Sequence, residues 1–326
     1  MTITTRFITA AALAAATALP ASAQDRPASM TISTASPGGV YAIYGEGVAQ
    51  LVSDVVGIPT STRQTQGPAQ NLVLLKGAQT ELAMTTSGPA FEAMEGKLEL
   101  APGDTYGDLR VLFAMYPTPF QMIALESSGI TALDQLDGKR VGAGPRAGTG
   151  GTYWTRWLGN MGIDASLQYG GIGDQASQLA DGRLDAIVTA GGIPHPSLSE
   201  LENTQDVTIF GMSDETLEGI MEANPYAVEF TIPKGTYKTP EGDLATVAMW
   251  NFVVADASMS DDLAYEITKA VLEGNDRMVS THSAAKGILA ENILKDTFIP
   301  LHPGAARYYQ ELGVEIPDAI APAGKN

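Results

Sequence analysis

Beyond residue 30 the chain alternates short apolar runs with stretches whose apolar residues return every three or four positions. Runs at 30–33, 60–65, 81–85, 140–143, 167–169, 185–189, 207–212, 227–232 and 246–254 read as strands, the clearest being D-A-I-V-T at 185–189. Tyr44, Val48, Leu51, Val52 and Val55 share one helical face over 40–56, and shorter helical patterns cover 69–76, 89–95, 152–161, 174–181 and 214–223. Strands at 109–116 and 120–125 are predicted as separate because Pro117 and Pro119 lie between them. In the last quarter Ser260 suits an N-cap, Asp261 and Asp262 a first turn, and Leu263, Ile267 and Val271 one buried face. A last helix is expected over 304–312.

Strands alternating with helices imply an α/β protein with a mostly parallel sheet and helices on both faces. The pattern shifts near Pro117–Pro119 and again between Ile232 and Val247. Two lobes are therefore expected, 24–118 with 238–326 and 119–237, the chain crossing between them twice.

The first residues do not fit that pattern. Arg6 precedes an apolar run over 8–19, Pro20 breaks it, and Ala21-Ser22-Ala23 offers small residues at a cleavage site. The run is too short to span a bilayer. A cleaved signal peptide over 1–23 is expected, with Gln24 first in the mature chain; an apolar helix that stays in place is the plainer alternative. The chain has no cysteine, which removes disulfides, thiolate metal sites and a lipid-anchored cysteine. Without Arg6 there are 18 basic against 37 acidic residues, about −19, which argues against nucleic acid and anionic membranes as partners.

Candidate chemistry gathers at six strand-to-helix joints rich in Gly or Pro. They begin at Ser36, Gln66, Thr86, Gly144, Gly170 and Gly191. In a parallel α/β sheet such joints share the C-terminal edge of the strands, where ligands bind. Each helix start there leaves unpaired N–H groups and a partial positive charge, which suits a carboxylate or phosphate. Ser36, Gly39, Tyr41, Asn71, Thr86, Ser87, Gly148, Thr149, Gly191 and Gly192 are the candidate ligand contacts, beside plain turn chemistry as the bland reading of some glycines. Arg146, inside the richest loop, either pairs with a ligand carboxylate or is a solvated or inter-lobe arginine.

Several of these segments resemble the TAXI family, the solute receptors of TRAP transporters. They are S-P-G-G-V-Y at 36–41, Q-G-P-A-Q-N-L at 66–72, E-L-A-M-T-T-S at 81–87, L-F-A-M-Y-P-T-P at 112–119, D-G-K-R-V-G-A-G-P-R-A-G-T at 137–149 and H-P-G-A-A-R-Y-Y-Q-E-L-G at 302–313. The resemblance implies a type II periplasmic-binding-protein fold with the ligand cleft between its lobes. It also implies capture of glutamate, 2-oxoglutarate or a related carboxylate, and delivery to sodium-coupled TRAP membrane subunits. It places contacts on Gly39, Tyr41, Asn71, Ser87, Thr149 and the Gly191–Gly192 loop. Ala147, Pro68-Ala69 and Leu125-Glu126 depart from the family pattern and bear on which carboxylate is held.

An enzyme is the main rival. Gly142 to Ala147 fits G-x-G-x-x-A, with Asp164 further on, and would make the protein an exported dinucleotide-binding oxidoreductase. No G-x-S-x-G or H-E-x-x-H occurs, and the three histidines are scattered: His195, between two prolines, is read as a loop residue with a place in the cleft as the alternative, and His282 and His302 as surface or helix-packing residues. The expectation is a periplasmic, monomeric binding protein, not membrane-anchored, without catalytic residues, metal or cofactor.

Overall fold

The computed structural model describes residues 26–322 apart from Pro240. The leader expected over 1–23 and the start at Gln24 lie outside the described residues.

Three strands, β1 (Met30–Ser33), β2 (Thr60–Arg63) and β3 (Leu82–Thr86), pair in parallel in the order β2-β1-β3. Each is followed by a helix: α1 (Val40–Val55), α2 (Pro68–Lys76) and α3 (Ser87–Met94). The long β4 (Leu109–Leu125) leads into a second set. Here β5 (Arg140–Gly142), β6 (Ser166–Gln168) and β7 (Ala186–Ala190) are again parallel, in the order β7-β5-β6. Their following helices are α4 (Thr149–Asn160), α5 (Ile172–Ala180) and α6 (Pro196–Thr204). Then come β8 (Val207–Phe210), α7 (Asp214–Ala223), β9 (Val228–Ile232) and the long β10 (Leu244–Asp256). The chain closes with α8 (Asp261–Glu273), α9 (Asn275–Thr281) and α10 (Pro303–Glu311).

The expected parallel character holds inside each set. Between the sets it gives way, because β4 and β10 run antiparallel to each other and to β7 and β3 respectively, and β8 and β9 pair antiparallel with β4 and β10. The result is a mixed α/β fold of two lobes joined by a curled sheet, with β4 and β10 passing through both.

The break expected at Pro117 and Pro119 does not occur: residues 109–125 form one strand. Proline breaks a ladder only where its missing N–H faces a partner strand. The carbonyl of Pro119 accepts from Gly191 N at 3.2 Å, so the N–H edge of Pro119 faces the end of β7. There the β7 ladder begins only at Phe120. Pro117 has the same parity, and β10 pairs across both prolines, Trp250 with Pro117 and Ala248 with Pro119. The helix α6 was not read from the sequence because two leucines, Leu198 and Leu201, carry its whole buried apolar face.

Apolar burial follows the same division. One core draws on residues between Met30 and Tyr116 and between Phe252 and Ile320. The other lobe has a core on each face of its sheet. Along β4, Phe120, Met122 and Ala124 enter one core and Ile123 the other; along β7, Ala186 and Val188 enter one and Ile187 the other. That is the two-residue period of a strand covered on both faces. Each large side chain so buried contributes about 1.5–3 kcal/mol.

Candidate functional site

Six helices begin at one cavity between the lobes. Gly39, Gly67 and Thr86 are the N-caps of α1, α2 and α3, and Gly148, Gly171 and His195 those of α4, α5 and α6. Either the N-cap itself or the first helical residue lines the cavity in every case. None of the six starts has a side-chain cap. Away from the cavity, Ser213 accepts from Thr216 N, Ser260 from Leu263 N, and His302 Nδ1 from Gly304 N. Five of the six first turns at the cavity also lack an acidic residue, and the exception, Asp174 of α5, is exposed. By contrast α7 carries Asp214 and Glu215 in its first turn and α8 carries Asp261 and Asp262. The cavity therefore keeps the unpaired N–H groups and positive ends that capping and acidic residues otherwise neutralise.

The lobes touch around it. Gly67 has φ +125°, and a Cβ there would stand 3.0 Å from Gly148 Cα, so two helix starts meet backbone to backbone. Thr86 and Thr149 hydroxyls hydrogen-bond across the cleft at 3.1 Å, and Ser197 Oγ donates to Gly38 O at 3.2 Å. The space between the lobes, partly open to solvent, is about 70 Å³. Since one water needs roughly 10–15 Å³ on that scale, it holds several waters or one small solute.

Among the described residues the lining carries no Asp, Glu, Lys or Arg, and sets a few neutral polar groups among a larger apolar surface. Tyr41 donates to Asn251 Oδ1 at 2.6 Å, and Asn251 Nδ2 donates to Tyr116 O at 2.5 Å and Thr118 Oγ1 at 2.6 Å. This joins α1 to both crossing strands. Burial, then the neighbouring Tyr116 and Tyr44, raise the Tyr41 hydroxyl well above the usual tyrosine range, so it stays protonated. His195 is 2 % exposed and its Nδ1 has no hydrogen-bond partner among the described residues. Burial, and secondarily His282, push its imidazole down to about 4, so the ring is neutral at pH 7. Its backbone N–H donates to Tyr237 Oη at 2.7 Å; Tyr237 donates to Gln121 Oε1, and Gln121 Nε2 donates to Gly191 O at 2.8 Å. That chain holds the turn after β7 in place.

Of the residues singled out in the sequence, Ser36, Gly39, Tyr41 and Thr86 line the cavity from one lobe and Gly148, Thr149, Gly191 and Gly192 from the other. Asn71, Ser87 and Arg146 do not. Asn71 is fully buried behind the wall, accepting from Thr65 Oγ1 and donating to Thr34 O and Met84 O. Ser87 Oγ donates to Tyr226 O at 2.8 Å. The exposed guanidinium of Arg146 stacks on Tyr169, 4.7 Å from the ring centroid, beside a separate groove. That groove also contains Glu92, whose carboxylate accepts from Tyr153 at 3.0 Å and from Arg156 at 2.5 Å and so fastens α3 to α4.

His195, read from sequence as a loop residue with the cleft as the alternative, lines the cavity as the N-cap of α6. Asn251, Thr118 and Tyr116 were missed; the available signal was a polar residue set between apolar neighbours or prolines, Thr118 between two prolines and Asn251 in W-N-F-V-V. The loop 142–147 borders the same small cavity through Ala143, Gly144 and Pro145. Among the described residues no cluster of potential metal ligands occurs, and no helix is long and apolar enough to cross a membrane.

A family model described as the NMT1-like family matches residues 32–313. Among solved structures, MatC from Rhodopseudomonas palustris with bound malate superimposes with a TM-score of 0.57 at 15% identity, covering 87% of this chain and 95% of that one. A structure described as a periplasmic transporter gives a TM-score of 0.50 at 15% identity, covering 87% and 91%. At such identity the likeness is one of fold.

Proposed function

The chain belongs to the NMT1-like family, and from that premise we propose that it is a periplasmic solute-binding receptor. It holds a small organic anion, glutamate, 2-oxoglutarate or a related carboxylate, and hands it to the membrane subunits of a sodium-coupled TRAP transporter. The observation that carries this reading is the set of six uncapped helix starts around one small cavity without charged side chains. Such N–H groups and positive ends are suited to an anion's oxygens. The malate in MatC, a protein of this fold, keeps dicarboxylates in the range considered.

In this reading residues 1–23 are a leader removed on export, 24–118 with 238–326 form one lobe, and 119–237 form the other. Ser36, Gly39, Tyr41 and Thr86 contact the ligand from the first lobe, and Gly148, Thr149, Gly191 and Gly192 from the second. The protein acts as a monomer without a membrane anchor, and no bond in the ligand is made or broken. Hinge motion along β4 and β10 turns occupancy into a shape the transporter subunits recognise.

Calorimetric titration of the mature protein, freed of carried-over ligand, against glutamate, glutamine, 2-oxoglutarate, succinate and malate tests it. Saturable one-to-one binding with the ligand recovered unchanged is expected. No binding across the panel, with binding of a nicotinamide dinucleotide instead, sinks it.

A further inference from the structure

We infer that the cavity discriminates against ammonium groups, so that its ligand is an organic acid whose other polar groups are oxygens (oxo, hydroxyl or a second carboxylate) and not an amino acid. This rests on the receptor reading above and narrows its ligand.

Three independent features lead there. First, among the described residues that line the cavity none is Asp, Glu, Lys or Arg. An ammonium group has three donors and a full charge, and loses strong hydration on entering a small space. Without a carboxylate to face, that loss is not offset. Second, the field has the wrong sign for it. Six helix N-termini surround a space that holds one small solute. Each carries roughly half a positive charge, undiminished by capping or, in five cases, by a first-turn acid. Third, the nearby carboxylates are committed elsewhere. Glu92 faces Arg156 and Tyr153 in the neighbouring groove, and Asp174 is exposed outside the lining.

The neutral groups present fit oxygen better. Thr189 and one member of the Thr86–Thr149 pair, in which one hydroxyl already donates to the other, offer hydroxyls that can donate. The imidazole of His195, buried with Nδ1 unpartnered, offers one N–H or one lone pair. An ammonium would find only neutral acceptors inside a positive field, whereas an oxo or hydroxyl oxygen, or a carboxylate, gains from the same donors.

The test uses the wild-type mature protein and matched acids that differ only at one carbon: 2-oxoglutarate against glutamate, malate against aspartate, and pyruvate and lactate against alanine. Each is titrated calorimetrically at pH 7. In every pair that binds, the oxo or hydroxy acid is expected at least tenfold tighter than its amino counterpart. An amino acid within tenfold of its partner, or tighter, overturns the inference and leaves the receptor reading standing. Silence from both members of every pair overturns both together.

Discussion

At the scale of single residues the candidate site divides into what a short sequence window shows and what only folding assembles. Gly39, Thr86, Gly148, Thr149 and Gly191 were legible because each lies in a strand-to-helix joint whose composition announces an open helix start. Arg146 and Asn71 lie in the same joints, yet one turns out to a tyrosine ring and the other back into the wall. Joint chemistry gives the place and not the direction of a side chain. His195, weighed between the cleft and a plain loop, is buried at the cavity, and burial governs how it titrates. With the folded imidazole near 4 and the unfolded one near 6.5, the unfolded chain takes up its proton first as pH falls. Stability contributed by the neutral ring is thus complete above pH 6.5 and lost as pH falls from about 6.5 to about 4, by at most about 3 kcal/mol. Urea unfolding between pH 4 and 8 should show this loss in the wild type and a flatter profile in His195→Gln. Identical profiles would mean that His195 does not stay neutral in the fold.

At the scale of elements, helix and strand periods located most segments; α6 and α9 went unread, and β4 was split in two. Two prolines read locally as a break, and only the partner strands reveal that their missing N–H groups face an unladdered edge. The crossing strands are also where the unread part of the site lies. Asn251 of β10 is fully buried and serves Tyr41 of α1 and both Tyr116 and Thr118 of β4. Removing its amide leaves the buried Tyr41 hydroxyl and a strand carbonyl without their protein partner. Asn251→Ala should therefore cost about 2–3 kcal/mol in denaturant unfolding. It should also weaken ligand binding, because Tyr41 loses its fixed position on the cavity wall. A cost below about 0.5 kcal/mol would mean that water replaces the amide and that these hydrogen bonds are not what ties α1 to the crossing strands.

At the scale of the whole molecule two fields compete for an approaching anion. The chain carries a net −18, which repels it at a distance. The six helix ends together supply roughly three positive charges, but only within the cleft, since helix-end effects fall off over about one turn. Outside the cleft the net charge wins; inside, the helix ends do. Salt separates them, because the Debye length shrinks from about 30 Å at 0.01 M to about 8 Å at 0.15 M and screens the long-range repulsion far more than contacts in a small cavity. The association rate for a dicarboxylate should accordingly rise severalfold over that range while its dissociation rate changes little. Trp154 and Trp157 of α4, the helix that starts at Gly148, provide an intrinsic fluorescence signal for stopped-flow measurement. A rate that falls with salt would mean that the helix ends already steer the anion from outside, and that the surface acids lie too far from the cleft mouth to oppose them.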